Sequence, residues 1–294
     1  MSDSSIIRMS GVKKVFGTQT VLADVNLEVQ PGETMVIMGG SGSGKSTMLR
    51  LMIGSIPTTE GVIELFGNNI CSLDEDRLNE VRKGFGILFQ SGALFNSMTI
   101  GENVALPMRE HTDLDPEIVD LTVKIKLELV GLREHADKYP AQISGGMKKR
   151  AGLARALSLD PKILFYDEPS AGLDPVTSAQ IDQLIVNLSK KLGVTSVVVT
   201  HEMDSAFTIA DRMAMLDKGR ILKVASRQWF ESLRDCPEED AQHRPESERL
   251  IRQFLRGDAI GPISDRRSAA DYERDLFGTV IPRGQPPSVV STKV

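Results

Sequence analysis

Across 294 residues, 35 Lys+Arg stand against 40 Asp+Glu for a net charge of −5, with 40% hydrophobic residues and two cysteines. That length accommodates one large or two modest domains with a real core, and the acidic balance leaves no electrostatic footprint for DNA or RNA. The opening MSDSSIIRMSG lacks the basic and long apolar regions of a cleaved export signal, no stretch approaches 18 consecutive apolar residues, and Cys71 and Cys236 are too few for a disulfide framework or metal cluster, so reduced cytosolic thiols and no membrane span are expected.

The runs SIIRM, VLADVNLEV, TMVIM and GVIELF, punctuated by Gly17, Pro31-Gly32, Gly39 and Gly61, predict several strands before the first helix. From about Asp74 to Leu159, segments such as PEIVDLTVKIKLELVGL and GGMKKRAGLARALSL space their apolar residues as helices do, which predicts a helical insert. Strand-like runs return as KILFY and VTSVVVT, then as the pair RMAML and RILKV joined at Asp217-Lys218-Gly219. Between the first two, Ile181, Leu184, Ile185, Leu188 and Leu192 mark one face of a helix. Such alternation implies a mostly parallel sheet covered on both faces. After about Ala225 the composition becomes charged, and in ESERLIRQFLRG residues Leu250, Ile251, Phe254 and Leu255 line a short helix ended by Gly257. The final 30 residues are not expected to have a core of their own.

Gly39-Gly40-Ser41-Gly42-Ser43-Gly44-Lys45-Ser46 matches G-x-x-x-x-G-K-[ST] and falls between a strand-like run and the helical MLRLMIG. Glycines let successive N–H groups turn toward phosphate oxygens, and the helix start adds partial positive charge. Lys45 would reach the β- and γ-phosphates, Ser46 would place its hydroxyl on Mg²⁺, and Thr47 would bond a phosphate oxygen. A ligand-free glycine turn would leave a partly buried lysine without a partner. A dinucleotide-binding loop would have no need of the Lys-Ser pair. In KILFYDE, an apolar strand delivers Asp167 and Glu168 to the ligand edge of a parallel sheet. Asp167 can hold Mg²⁺ through water, and Glu168 can orient and deprotonate the attacking water. Together these motifs point to a nucleoside triphosphatase.

Ser144-Gly145-Gly146-Met147, Gln90 after GILF, the run Ser170-Ala171-Gly172-Leu173-Asp174 after Glu168, and His201 after SVVVT narrow the class. In this order and spacing, residues 5 to 225 resemble the ATP-binding subunits of ABC transporters. The resemblance implies an α/β fold, a P-loop NTPase of ABC type with a RecA-like mixed sheet core plus antiparallel β and helical subdomains. Residues 1–225 would form the ATPase domain, with the helical subdomain inserted at about 91–160. Residues 226–294 would form a C-terminal extension with a short helix at about 246–256 and a tail.

By the same resemblance Phe16 stacks on adenine, Gln90 contacts Mg²⁺ and reports to a membrane partner, and His201 contacts the γ-phosphate. Ser144, Gly145 and Gly146 face the γ-phosphate held by a second copy in a head-to-tail homodimer, and the loop at Asp174 couples the two sites. Each piece has a plainer reading: a Ser-Gly-Gly turn starts ordinary helices, Phe16 could be a core aromatic, His201 a structural histidine, and Asp174 before Pro175 a helix cap.

Met147 stands where most such ATPases have Gln, and Ile143 where they have Leu. SGGMKKR, FQSGALFNSMTIGENVALPMRE and RQFLRGDAIGPI resemble the Mla/Mce-type systems that move phospholipids or other lipids between envelope membranes. This likeness implies ATP and Mg²⁺ as cofactors and a peripheral place on the cytoplasmic face of the inner membrane. It implies as partners a transmembrane permease docking at residues 90 to 110, a lipid-binding Mce-type envelope subunit and a small regulatory subunit, with no nucleic acid. The competing reading is an ATPase that transmits force to an envelope enzyme, or that serves another substrate. Tyr272, Leu276, Phe277, Val280 and Ile281 in the tail would pack across the dimer or against a regulator, or belong to a disordered end.

Overall fold

Strands β1 (Ile7–Phe16) and β2 (Gln19–Val29) bury Ile7, Met9 and Val12 and then Leu22, Val25, Leu27 and Val29, close to the every-second-residue alternation of a sheet with one packed face. In the computed structural model, residues 5–265 are described; the tail residues Tyr272 to Ile281 named above lie outside them. The chain continues through β3 (Thr34–Met38), α1 (Lys45–Met52), β4 (Glu60–Leu65), β5 (Asn68–Asn69), α2 (Glu75–Arg82) and β6 (Phe85–Leu88). Helices α3 (Ile100–His111), α4 (Pro116–Leu129) and α5 (Gly145–Ala156) follow. Then come β7 (Ile163–Asp167), α6 (Pro175–Leu192), β8 (Thr195–Thr200), α7 (Met203–Ile209), β9 (Arg212–Asp217), β10 (Arg220–Ser226) and α8 (Arg227–Arg234).

Two sheets result. One is antiparallel in the order β2-β1-β4-β5, and the other runs β10-β9-β3-β8-β7-β6. In the second, β9, β3, β8, β7 and β6 pair in parallel and β10 returns antiparallel at the edge. Every residue of β3 and β8 is buried, as strands covered on both faces require. Ile37, Phe165 and Val199 of this sheet share a core with Ile7, Leu27 and Ile63 of the antiparallel one and Met48 of α1. Burying each such side chain contributes roughly 1.5–3 kcal/mol.

The sequence pattern missed β6, which lies inside the stretch expected to be helical. FGIL is only one four-residue strand, and it pairs with β7. Gly86 permits it: a Cβ there would lie 2.1 Å from Ala156 O at the end of α5. The six-stranded sheet is mostly parallel, as expected, and the first sheet forms the antiparallel part. On α6, Ile181, Ile185 and Leu188 are buried, whereas Leu192, at the last helical position before the left-handed Gly193, is 43% exposed. The β9–β10 turn takes Lys218 and Gly219 at φ 45° and 78°, the paired positive values of a tight hairpin. Gly219 N donates to Ser43 O and Gly219 O accepts from Ala23 N, tying the hairpin tip to the loop before α1 and to β2.

Contacts divide the chain after Ser232. In the second unit, α9 (Glu238–Gln242), α10 (Glu246–Arg256) and α11 (Pro262–Asp265) follow one another. Leu250, Ile251 and Leu255 of α10 are buried, and Gly257 ends the helix in the left-handed region. Among the described residues no helix is long and apolar enough to cross a membrane.

Candidate functional site

The loop Gly39–Gly44 leaves the C-terminal end of β3, the place where open parallel sheets hold ligands, and turns into α1. Two of its glycines are obligatory. Gly39 has φ 158°, and a Cβ there would lie 2.1 Å from Leu216 O; Gly44 has φ 108°, and its Cβ would lie 2.7 Å from Leu22 Cδ2. Gly42, Ser43, Gly44, Lys45, Ser46 and Thr47 line a cavity of about 210 Å³ beside Val21. Lys45 is 8% exposed, and its Nζ donates to Gly39 O at 2.7 Å and Gly40 O at 3.0 Å. Burial pushes this ammonium below the ordinary lysine value, against the pull of Glu168 and Asp167. The buried Ser43 Oγ has no hydrogen-bond partner.

Asp167 ends β7 among these groups. Burial, and then the neighbouring Glu168 charge, hold its carboxyl above the usual range, while Arg50 and Lys45 pull it down. Glu168 follows at φ 50°, a left-handed conformation costing a non-glycine residue on the order of 1–3 kcal/mol. Surrounding bonds hold it there: Glu168 N donates to Val199 O at 2.9 Å, and Glu168 O accepts from Ala171 N at 3.3 Å. The Glu168 side chain is 13% exposed. Its carboxylate lies 2.9 Å from His201 Nδ1 and accepts from His201 N at 3.3 Å. A carboxylate accepts, so Nδ1 donates and Nε2 is left for another partner.

Lys45, Asp167, Glu168 and His201 are thus brought to one sheet edge. The remaining expected residues are elsewhere or differently engaged. Phe16 is 48% exposed at the end of β1, with Lys14 Nζ 4.8 Å from its ring centroid. Gln90 is exposed in the turn after β6. That turn is clamped to α5, because Arg155 donates to Ala93 O at 2.7 Å and Gly92 O at 3.1 Å. Ser144 caps α5 by accepting from Met147 N, and Ser144 and Gly145 are exposed. Gly146 is buried where a Cβ would lie 2.4 Å from Thr177 Cγ2. None of Ser144, Gly145 or Gly146 lines the cavity at Lys45. Asp174 caps α6, accepting from Val176 N, Thr177 N and Thr177 Oγ1, and these bonds, led by the Thr177 hydroxyl, hold its carboxyl below the usual range.

Two features escaped sequence reasoning. Lys149, one turn into α5 and 4% exposed, donates to Ala171 O at 2.7 Å and Glu168 O at 3.3 Å, joining α5 to the strained Glu168 turn. Ser205 Oγ donates to Asp182 Oδ2 at 2.7 Å and lies 3.1 Å from Ser170 Oγ, linking the segment after Glu168 to the helix after His201. An acid between Ile181 and Ile185, on the buried face of α6, was the available signal for the second. For Lys149, one of three successive cations in KKR, nothing in the pattern marked it as the buried one.

A family profile described as ABC transporter matches residues 22–171. The probable ribonucleotide transport ATP-binding protein mkl of Mycobacterium leprae is 42% identical over 258 residues, 87% of this chain and 70% of that protein. The intermembrane phospholipid transport system ATP-binding protein MlaF of Escherichia coli is 40% identical over 276 residues, 94% of this chain and 98% of that protein. Among solved structures, the dimeric post-hydrolysis state of an ATP-binding cassette bound to ADP and Pi superposes with a TM-score of 0.70 at 32% identity, covering 75% of this chain and 98% of that one.

Proposed function

The chain belongs to the ATP-binding subunits of ABC transporters, of the Mla type, and from that premise we propose that it hydrolyses ATP to drive phospholipid or related lipid movement between envelope membranes. The observation that carries the catalytic half is the meeting of Lys45, Asp167, Glu168 and His201 at one edge of the parallel sheet. The cargo half rests on likeness to MlaF along nearly its whole length.

The residues fit the groups they would hold. A buried ammonium whose bonds here go to two carbonyls is suited to exchange them for phosphate oxygens, and the orphaned Ser43 hydroxyl and the open cavity beside it offer polar room. Asp167, whose carboxyl is held above the usual range by burial and then by the adjacent Glu168 charge, suits a divalent cation nearby. Ser46 and Asp167 would hold Mg²⁺, Asp167 through water, with Gln90 reaching it from its turn. Mg²⁺ supplies charge neutralisation at the transferring phosphoryl group. Gly39 to Thr47 orient the phosphates, and Phe16 offers the ring face turned away from Lys14 to adenine.

Glu168 accepts a proton from the attacking water, and His201 Nε2, oriented by Glu168 on Nδ1, meets the γ-phosphate. Ser144 and Gly145, exposed at the start of α5, would offer the helix N-terminus, with the buried Gly146 behind them, to the nucleotide of a second copy, with Asp174 at the crossing loop. A groove of about 450 Å³ lined by Ile53, Phe85, Ile87, Phe89, Pro107 and His111 offers a permease segment a seat beside Gln90. The chain then works peripherally on the cytoplasmic face of the inner membrane, with a Mce-type lipid-binding subunit and a small regulatory subunit completing the assembly.

Gentle extraction of the tagged protein from its native membranes, followed by mass spectrometry of what accompanies it, tests the reading. A multi-span permease, a Mce-type subunit and bound phospholipid are expected. A permease with a different binding subunit and no lipid would keep the ATPase and discard the lipid cargo.

A further inference from the structure

Asp182 lies on the buried face of α6 between Ile181 and Ile185 and is itself 4% exposed. A carboxyl group in such a place needs hydrogen-bond partners, and among the described residues it has one: Ser205 Oγ donates to Oδ2 at 2.7 Å, while Oδ1 is buried without a bond. Burial pushes the carboxyl above its usual range, the Ser205 hydroxyl pulls against that, and the Glu202 charge adds to the rise. An apolar side chain would pack this face of α6 at less cost, so the helix gains no stability from an acid here. What the acid does is orient Ser205.

Ser205 has a single hydroxyl proton, and Asp182 takes it. Toward Ser170, 3.1 Å away, Ser205 can then only accept, so Ser170 Oγ donates. Both serines are buried. Their bond closes a ring. Ser170 follows Glu168 by two residues and Ser205 follows His201 by four. At the other end of these segments the Glu168 carboxylate lies 2.9 Å from His201 Nδ1 and accepts from His201 N at 3.3 Å. Two short stretches of chain are thus joined at both ends, by the reactive pair at one and by the serine pair at the other. Such double closure is what a left-handed Glu168 at φ 50° requires to persist. Ser178 Oγ donates to Ser170 O at 3.4 Å, so the serine end of the ring is held by the same helix that carries Asp182.

We propose that Asp182 is a positioning residue for ATP hydrolysis: by directing the Ser170–Ser205 hydrogen bond from α6, it holds the segments of Glu168 and His201 in one register. The inference rests on the reading of Glu168 as the proton acceptor. Asp182 acts on the reaction only through the two serines.

Steady-state ATPase kinetics of the full chain with Mg²⁺ test it. Asp182→Leu, and Ser170→Ala, which leaves the Asp182–Ser205 bond in place, are each expected to lower kcat at least about tenfold while KM for ATP changes less than about threefold. Asp182→Asn keeps an acceptor oxygen for Ser205 and is expected to restore kcat to within about threefold of the parent. Because both losses run through one bond, combining Asp182→Leu with Ser170→Ala should cost no more than about twofold beyond the slower single variant. A smaller fall in kcat for Ser170→Ala or Asp182→Leu, a loss expressed mainly in KM, an Asp182→Asn protein that is not restored, or losses that multiply would each overturn the proposal. Ser170→Ala and Asp182→Asn carry the test even where Asp182→Leu fails to fold. Glu168→Gln is measured beside them. If its turnover stays within about tenfold of the parent, the base reading fails and this proposal with it; a slow Glu168→Gln beside a fast Ser170→Ala removes only the role of Asp182.

Discussion

Two helix starts in this chain offer N–H groups to an anion, and they differ in completeness. At α1 the loop is closed around a buried Lys45, with Asp167, Glu168 and His201 already gathered at the same edge. At α5 the corresponding turn is bare: Ser144 and Gly145 are exposed, and the buried cation, Lys149, points back into the protein at the carbonyls of Glu168 and Ala171. One chain therefore carries a nearly finished half of a catalytic centre and an outward-facing half that lacks its own phosphate cradle. The contrast supports the proposed site shared between two copies. Lys149, through its bonds to the Glu168 and Ala171 carbonyls, would couple the outward half to the finished one.

The comparison can be broken most severely at the finished half. Glu168→Gln keeps the shape and the hydrogen bond to His201 N but removes the proton acceptor. Turnover should fall by roughly 10²–10⁴ with ATP affinity retained. A steady-state rate within tenfold of the parent would remove Glu168 from the role of base.

Lys149→Met tests the link between the halves. It keeps the length of the side chain and leaves two carbonyls and a strained φ without their clamp. Loss of interactions worth about 1–3 kcal/mol should lower kcat roughly 5- to 150-fold, with KM for ATP changed less than about threefold. An unchanged kcat would show that Glu168 keeps its conformation without α5.

The smallest effect concerns charge at the sheet edge. Because the folded Asp167 carboxyl is held above its unfolded value, the native state binds more protons in the range just above the ordinary carboxylate pKa, and stability falls as pH rises through it. In the absence of Mg²⁺ and nucleotide, Asp167→Asn should raise Tm near neutral pH, on the order of 1–3 °C, and the gain should vanish in acid. A lower Tm at neutral pH would show that Arg50 and Lys45 outweigh burial and Glu168.

Much of this contrast was legible in the sequence, because the cradle and the Ser-Gly-Gly turn are contiguous and each is dictated by backbone geometry at glycine. What could not be read were the long-range partners. FGIL is too short for periodicity to separate from its helical surroundings, and only the packing of Gly86 against Ala156 O explains the strand. Burial singled out Lys149 from its basic neighbours. Asp182 stands out as an acid on the buried face of α6, but its partner Ser205, and Ser170 beyond it, are visible only in the fold. In α4 the sequence shows apolar residues on two faces, but only the fold distinguishes the face packed on α3 and α5 from the one left open.

The central claim is that the bare half at Ser144 completes the nucleotide site of another copy. Sedimentation velocity of the Glu168→Gln protein with and without Mg²⁺-ATP tests it directly, since that variant should bind nucleotide without consuming it. The account expects a 32.2 kDa monomer to become a dimer only with ATP, and the exposed substitution Ser144→Arg to abolish the dimer while ATP affinity of the monomer stays within about threefold. A Glu168→Gln protein that stays monomeric while saturated with ATP, or a dimer indifferent to Ser144→Arg, would contradict it.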